Sequence, residues 1–114
     1  MSYKIYHNPR CSKSRQTLEI LRENGIEPQI IEYLKETPTE AELTEVLHQL
    51  NVPAIEIIRK GESDFKENFK GKDLTNTEWI QAMVKYPKLI ERPIVIKGNQ
   101  AILGRPPQKV LELI

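Results

Sequence analysis

The chain has 114 residues, of which 39% are hydrophobic and 29% charged, a composition typical of soluble globular proteins. At roughly 100–200 residues per domain, this length predicts a single domain over residues 1–114. Its 17 Lys and Arg against 16 Asp and Glu give a net charge of +1, which provides no reason to expect a nucleic-acid partner. Without a long apolar run or a signal segment before the first strand-like residues, the sequence predicts a cytoplasmic protein with no membrane partner.

Cys11 is the only cysteine in the chain. A single thiol cannot form an internal disulfide, and it also excludes CxxC redox chemistry, cysteine-based zinc sites and iron–sulfur clusters within the chain. We therefore expect no bound metal and no bound cofactor. The surroundings of Cys11 are basic, because the first acidic residue of the chain is Glu19. Four basic residues precede it: Lys4, Arg10, Lys13 and Arg15.

The first part of the chain has the pattern strand, helix, strand. Residues 3–7 predict a short strand that ends at the turn signal Asn8-Pro9. A helix is expected from about Ser12 to the stop signal Asn24-Gly25, and residues 30–34 predict a second strand. This is a βαβ unit, in which the helix connects two parallel strands.

A second helix is predicted after residue 37. Thr37 is the expected N-cap, with proline at the first helical position and Glu40 completing a capping box. The apolar stripe of this helix is predicted to be buried and contains Leu43, Val46, Leu47 and Leu50. Residues 62–73 are polar and show little pattern, so no element is predicted there.

The remaining elements are short. Ile55, Ile57 and Ile58 predict a short helix that ends near residues 59–61, and a second capping box over residues 75–78 begins a helix that Pro87 ends. Two apolar segments around a turn predict a hairpin over residues 94–103. A final helix is expected from Pro106, with Val110, Leu111 and Ile114 as its apolar residues.

This order of elements predicts an α/β fold with a mixed four-stranded sheet and helices on its faces. A βαβ unit followed, after extra helices, by a ββα unit is the order of a thioredoxin-like fold with a helical insertion.

Cys11 lies where the first strand ends and the first helix begins. Unpaired backbone N–H groups and the helix dipole favour a thiolate at this position. Further positive charge is expected from His7, Arg10, Lys13 and Arg15. We therefore predict that Cys11 is a thiolate near neutral pH, and that the same helix start can bind an oxyanion such as phosphate or arsenate. Thr17 stands where a tyrosine-phosphatase loop requires arginine, which disfavours that class.

Three arginines each lie at the end of a predicted element: Arg59, Arg92 and Arg105. The planar guanidinium group suits tetrahedral oxyanions, so these side chains are candidates to converge on Cys11. Pro93 directly precedes a predicted strand, and in thioredoxin-like proteins a cis proline at this point faces the reactive cysteine. We therefore predict a cis Arg92–Pro93 peptide bond.

Taken together, these residues resemble the glutaredoxin-coupled arsenate reductases of the small thioredoxin-fold type, over the whole chain. Residues 7–15 resemble the active-site loop of that family. The segments 58–60, 91–95 and 104–107 resemble those that carry its three arginines. The loop and the Arg-Pro-Ile-Val segment are specific in combination.

The resemblance implies that Cys11 attacks arsenate to form a thiol–arsenate adduct. The adduct would be held by Arg59, Arg92 and Arg105. Glutathione, as co-substrate, would then react with the adduct, and glutaredoxin would resolve the mixed disulfide, releasing arsenite. His7 is expected to help keep Cys11 as a thiolate, Ser14 and Arg15 to assist the oxyanion site, and Pro93 to face the thiol.

Two other functions remain open. One is a redox-responsive transcription regulator of the same fold that binds RNA polymerase, although its usual Cys-x-x-Cys switch would need a cysteine at Ser14. The other is a glutathione-dependent oxidoreductase with one catalytic thiol that acts on protein mixed disulfides. Such an enzyme has no need of three arginines, whereas an oxyanion reductase has.

Overall fold

A computed structural model describes residues 2–114 and divides the chain into two compact units. One unit contains the chain up to Glu36 together with Arg92–Ile114, and the other contains Thr37–Glu91. Within residues 2–114, every helix is too short or too polar to cross a membrane.

The first unit is built on a four-stranded sheet. Its elements are β1 (Tyr3–Tyr6), α1 (Ser12–Glu23), β2 (Gln29–Ile31), β3 (Ile94–Lys97), β4 (Gln100–Leu103) and a 3₁₀ helix (Pro107–Leu113). The strand order is β2-β1-β3-β4. β1 is parallel to β2 and antiparallel to β3, and β4 pairs antiparallel with β3. The predicted βαβ unit, the hairpin and the mixed, thioredoxin-like sheet are therefore confirmed.

The core of this unit combines strand, helix and C-terminal residues. Its buried apolar side chains are Ile5, Leu18, Leu21, Val95, Val110 and Leu113. The last element packs against α1 but is a 3₁₀ helix, in which residues three apart lie on one face. For this reason Val110 and Leu113 are buried, whereas Leu111 and Ile114, the other apolar residues named for the predicted helix, are exposed.

β2 is shorter than the sequence predicts, since it ends at Ile31. The chain then turns, and the carbonyl oxygen of Glu32 accepts hydrogen bonds from the N–H groups of Lys35 (2.9 Å) and Glu36 (2.8 Å). Tyr33 is buried in this turn. The sequence assigned Tyr33 to the strand because it is a large hydrophobic residue, but it is buried by packing in a turn.

The second unit is helical and corresponds to the predicted insertion. It contains α2 (Glu40–Leu50), α3 (Ser63–Asn68), α4 (Asn76–Lys85) and two 3₁₀ segments, Ala54–Ile57 and Pro87–Leu89. In α2 the predicted side chains Leu43, Val46 and Leu47 are buried, while Leu50 is partly exposed. The predicted capping box of α4 is confirmed.

The N-cap of α2 is Thr39 and not Thr37, which corrects the prediction. The Thr39 hydroxyl accepts a hydrogen bond from the N–H of Glu42 at 3.1 Å, and the Glu42 carboxylate accepts one from the N–H of Thr39 at 2.9 Å. Both threonines have glutamate three positions later, so the pattern alone allowed two helix starts.

α3 lies in the segment where the sequence predicted no element. This helix has only six residues and places its aromatic side chains against α4. The Phe65 ring stacks on Trp79 with centroids 6.0 Å apart, and Phe69 lies 5.8 Å from Trp79 and 5.7 Å from Tyr86. Helical periodicity is hard to detect over so short a segment, and these ring contacts join residues far apart in sequence.

Candidate oxyanion site

The loop before α1 holds Cys11 at the start of the helix. The N–H of Cys11 donates to the carbonyl oxygen of Asn8 at 3.0 Å, and the N–H of Arg10 donates to the Asn8 side-chain oxygen, also at 3.0 Å. Cys11 is the N-cap residue of α1, with extended backbone angles (φ −92°, ψ 122°). Its thiol is partly buried, so it is sheltered yet accessible to a small reactant.

The pKa of the Cys11 thiol lies below its ordinary value. Partial burial raises this pKa, but four other contributions together outweigh it. The N–H of Ser14, the hydrogen bond and positive charge of Arg92, and the N–H of Lys13 all lower the pKa. The helix start thus favours a thiolate, the nucleophilic form of cysteine, as the sequence predicts.

Ser14, in the first turn of α1, fastens the helix start to the two residues that follow β1. Its hydroxyl is fully buried and accepts a hydrogen bond from the N–H of Asn8 at 3.1 Å. The same hydroxyl lies 2.6 Å from Nδ1 of His7, which is also buried. In the structure the polar partner of the His7 ring is therefore Ser14.

His7 does not supply the positive charge expected from the sequence. Burial lowers its pKa, the Glu32 carboxylate opposes this effect, and the charges of Arg22 and Arg15 lower the pKa further. With a pKa below the ordinary value of about 6.5, the ring is neutral at neutral pH. The chain's sequence shows a histidine beside basic residues but not its burial, and burial decides its charge.

Arg92 and Arg105 both lie in the unit that contains Cys11. Arg92 hydrogen-bonds to the Cys11 sulfur, and Nη1 of Arg105 donates to the main-chain oxygen of Arg92 at 3.2 Å. The predicted cis Arg92–Pro93 peptide is confirmed, and a second cis peptide, Arg105–Pro106, was not predicted. The structure thus places Arg92 against the thiol and Arg105 against the main chain of Arg92, and the convergence of Arg105 on the thiol stays a prediction.

Gly104 allows the chain that follows β4 and carries Arg105 to approach α1 closely. Its N–H donates to the carbonyl oxygen of Pro93 at 2.9 Å. A Cβ at this position would lie 2.8 Å from Oγ1 of Thr17 and 2.9 Å from Cγ of Pro93. The residue at position 104 must therefore lack a side chain, a requirement that the sequence alone does not reveal.

The other basic residues near the thiol are exposed. Arg10 and Lys13 lie at the surface, and Arg15 uses Nη1 to donate to the Pro9 carbonyl oxygen at 2.9 Å. Arg15 therefore braces the loop that carries Cys11. Its predicted assistance to an oxyanion, and that of Ser14, stay predictions.

Arg59 belongs to the other unit, Thr37–Glu91. Its Nη1 donates to the Glu91 carboxylate at 2.7 Å, and its Nε lies 4.0 Å from the Glu62 carboxylate. Its convergence with Cys11 stays a prediction. The two carboxylates were missed at the sequence level, although Glu91 immediately precedes Arg92 and was part of the segment that carried the resemblance.

Among residues 2–114, the His, Cys, Asp and Glu side chains form no cluster of three or more that could hold a metal ion. The polar groups described around the thiol are N–H donors and guanidinium groups. Such groups bind anions.

Comparisons with known proteins agree with this geometry. The model of the ArsC family matches residues 6–113. The arsenate reductase of Haemophilus influenzae is 41% identical over 116 residues, covering 100% of both chains. An Escherichia coli protein named uncharacterized protein YfgD is 49% identical over 113 residues, covering 97% of this chain and 95% of its own. A solved structure of arsenate reductase from Vibrio cholerae has a TM-score of 0.95 and 46% identity, covering 100% of this chain and 98% of the other.

Proposed function

The chain belongs to the ArsC family, and from this premise we propose that it is an enzyme that reduces arsenate to arsenite through an adduct on Cys11. Glutathione serves as co-substrate and glutaredoxin as the recycling partner. The observation that carries the proposal is the lowered pKa of a half-buried thiol at a helix start, hydrogen-bonded to Arg92. The relatives named arsenate reductase support arsenate as the oxyanion.

In the first step the Cys11 thiolate attacks arsenic. A sulfur–arsenic bond forms, an arsenic–oxygen bond breaks, and the oxygen leaves as water after protonation. Arsenic remains in the +5 state. The N–H groups of Ser14 and Lys13 and the guanidinium of Arg92 stabilise the thiolate, and the same donors are suited to the negative oxygens of the adduct.

In the second step the glutathione thiolate attacks the sulfur of Cys11. A disulfide forms between the two sulfurs, the sulfur–arsenic bond breaks, and its electron pair stays on arsenic, which leaves as arsenite. Each sulfur has lost one electron and arsenic has gained two. A glutaredoxin thiol then attacks the glutathione sulfur and releases Cys11 as a thiolate. We expect this reaction in the cytosol, where thiols are kept reduced.

The arginines distinguish this function from disulfide exchange. Arg92, Arg105 and Arg59 are proposed to bind the oxygens of arsenate, for which a guanidinium fork is well shaped. An enzyme that acts only on protein mixed disulfides meets no tetrahedral anion and gains nothing from these groups. The main-chain contact of Arg105 to Arg92 supports a joint role for the two side chains.

The test is an arsenate reduction assay with purified protein, glutathione and glutaredoxin. We expect steady formation of arsenite, none with Cys11→Ser, and no arsenite when thiols are omitted, because the reaction then stops at the Cys11 adduct, in which arsenic is still +5. Arg92→Lys should raise KM by about tenfold, because it keeps the charge but loses the two-pronged geometry. Arg22→Lys, at the exposed end of α1, is the matched control and should behave as the wild type. Steady arsenite formation by Cys11→Ser refutes the mechanism.

A further inference from the structure

Arg59 already has carboxylate partners in the structure. Its Nη1 to Glu91 distance of 2.7 Å is that of a charge-assisted hydrogen bond, and the Glu62 carboxylate lies 4.0 Å from Nε. The Arg59 and Glu91 side chains are 23% and 21% exposed, so the pair is largely sheltered from water. An arginine proposed to bind an anion is thus neutralised by side chains of its own unit.

The main chain on both sides of this ion pair is fixed. Ile58 and Ile90 form an antiparallel bridge, flanked by hydrogen bonds from the N–H of Arg59 to Leu89 and from the N–H of Glu91 to Ile57, both 2.8 Å long. We therefore expect the guanidinium to be freed by rotation of side chains and not by rearrangement of the main chain.

We propose that Glu91 sets the oxyanion affinity of the site by competing with the oxyanion for Arg59. The inference rests on the proposed function, in which Arg59 binds arsenate. A carboxylate and a tetrahedral oxyanion make the same charge-assisted bonds to a guanidinium edge, and Nη1 is occupied by Glu91 at 2.7 Å. An oxyanion that uses the guanidinium edge with Nη1 competes with this carboxylate, and the negative charge of Glu91 also repels an oxyanion bound at the other edge.

Whether oxyanion binding becomes stronger or weaker when Glu91 loses its charge separates competition from a purely structural role. If Glu91 only aligned Arg59, removing its charge would loosen the guanidinium and weaken oxyanion binding. If Glu91 competes, removing its charge frees the guanidinium and strengthens binding. Glu91→Gln keeps the size and an acceptor oxygen but removes the charge, so it tests the sign directly.

The first measurement is the KM for arsenate with glutathione and glutaredoxin at saturating concentrations. Glu91→Gln should lower KM about fivefold, the factor that corresponds to about 1 kcal/mol, with kcat within about twofold of wild type. Glu67→Gln, an exposed carboxylate of α3, controls for the loss of one charge and should leave KM unchanged. Glu91→Asp, whose carboxylate is one methylene shorter, should give a smaller decrease and serves if the glutamine variant does not fold.

The second measurement is independent of the reaction. Binding of arsenate and of inorganic phosphate is measured by calorimetry in the Cys11→Ser background, with and without Glu91→Gln. We expect a dissociation constant about fivefold lower in the double variant. An unchanged or higher dissociation constant or KM, or no oxyanion binding to either protein, overturns the inference. Failure of the proposed function has a different signature, namely no arsenite from the wild type while Glu91→Gln still tightens oxyanion binding.

Discussion

Gly104→Ala tests whether the close approach of the β4 end to α1 organises the site. The added Cβ would lie 2.8 Å from Oγ1 of Thr17 and 2.9 Å from Cγ of Pro93, closer than real Cβ contacts occur. Neither neighbour can move freely. Thr17 is fully buried, and its hydroxyl donates to the Lys13 carbonyl oxygen at 2.9 Å. The ring of Pro93 is closed onto its own main-chain nitrogen and so cannot rotate away.

The expected loss of stability is that of an overpacked core, about 1–3 kcal/mol. With an unfolding entropy of about 2.1 cal/mol/K per residue over 114 residues, each kcal/mol lowers Tm by roughly 4 °C. Gly104→Ala should therefore lower Tm by roughly 4–12 °C. Because Pro93 follows Arg92, its displacement should also weaken the contact of Arg92 with the Cys11 sulfur and raise the pKa of the thiol.

The assays are thermal denaturation followed by circular dichroism and the pH dependence of Cys11 alkylation. Gly61→Ala is the matched control, because nothing lies within 4 Å of its added Cβ. A Tm for Gly104→Ala equal to that of Gly61→Ala would refute the steric reasoning. An altered Tm with an unchanged alkylation profile would refute only the link to the thiol.

Three further outcomes are expected. The alkylation rate of Cys11 should rise with an inflection below the ordinary thiol pKa of about 8.5, and an inflection at or above that value contradicts a stabilised thiolate. Since burial lowers the pKa of His7, the unfolded chain binds more protons below about pH 6.5, and the free energy of unfolding should fall from that pH downwards. In urea titrations this slope should be reduced in His7→Gln, and a slope equal to that of the wild type would contradict the lowered pKa of His7. Thr39→Ala should lower the free energy of unfolding by about 1 kcal/mol. An equal loss in Thr37→Ala would argue against Thr39 as the N-cap.

Those parts of the fold that depend on local patterns could be predicted from the sequence. The turn signal Asn8-Pro9 and the stop signal Asn24-Gly25 bound a helix found over Ser12–Glu23. The hairpin also follows from its two apolar segments. The choice between Thr37 and Thr39 could not be made, because both satisfy the same capping pattern and only packing of the helix selects one.

For the candidate site, the position of the thiol could be predicted from the sequence, but the charge of His7 and the ion pair of Arg59 could not. The position of Cys11 at a helix start follows from chain order, and the cis bond before Pro93 follows from the fold. The neutral His7 depends on burial, and the pair of Arg59 and Glu91 joins residues 32 positions apart. Such contacts are decided by tertiary structure, which no local pattern encodes.

The hydroxyl of Ser14 constrains how electrons reach the oxidised Cys11. It lies three residues after Cys11, where many thiol enzymes carry a second cysteine that closes a disulfide with the first. Here the side-chain oxygen lies between two partners, at 2.6 Å and 3.1 Å, in a fully buried position. Sulfur is larger than oxygen, so a cysteine at this position would have to lengthen both contacts. Because Ser14 is not a thiol, the proposed mechanism hands the oxidising equivalent on Cys11 to a separate molecule.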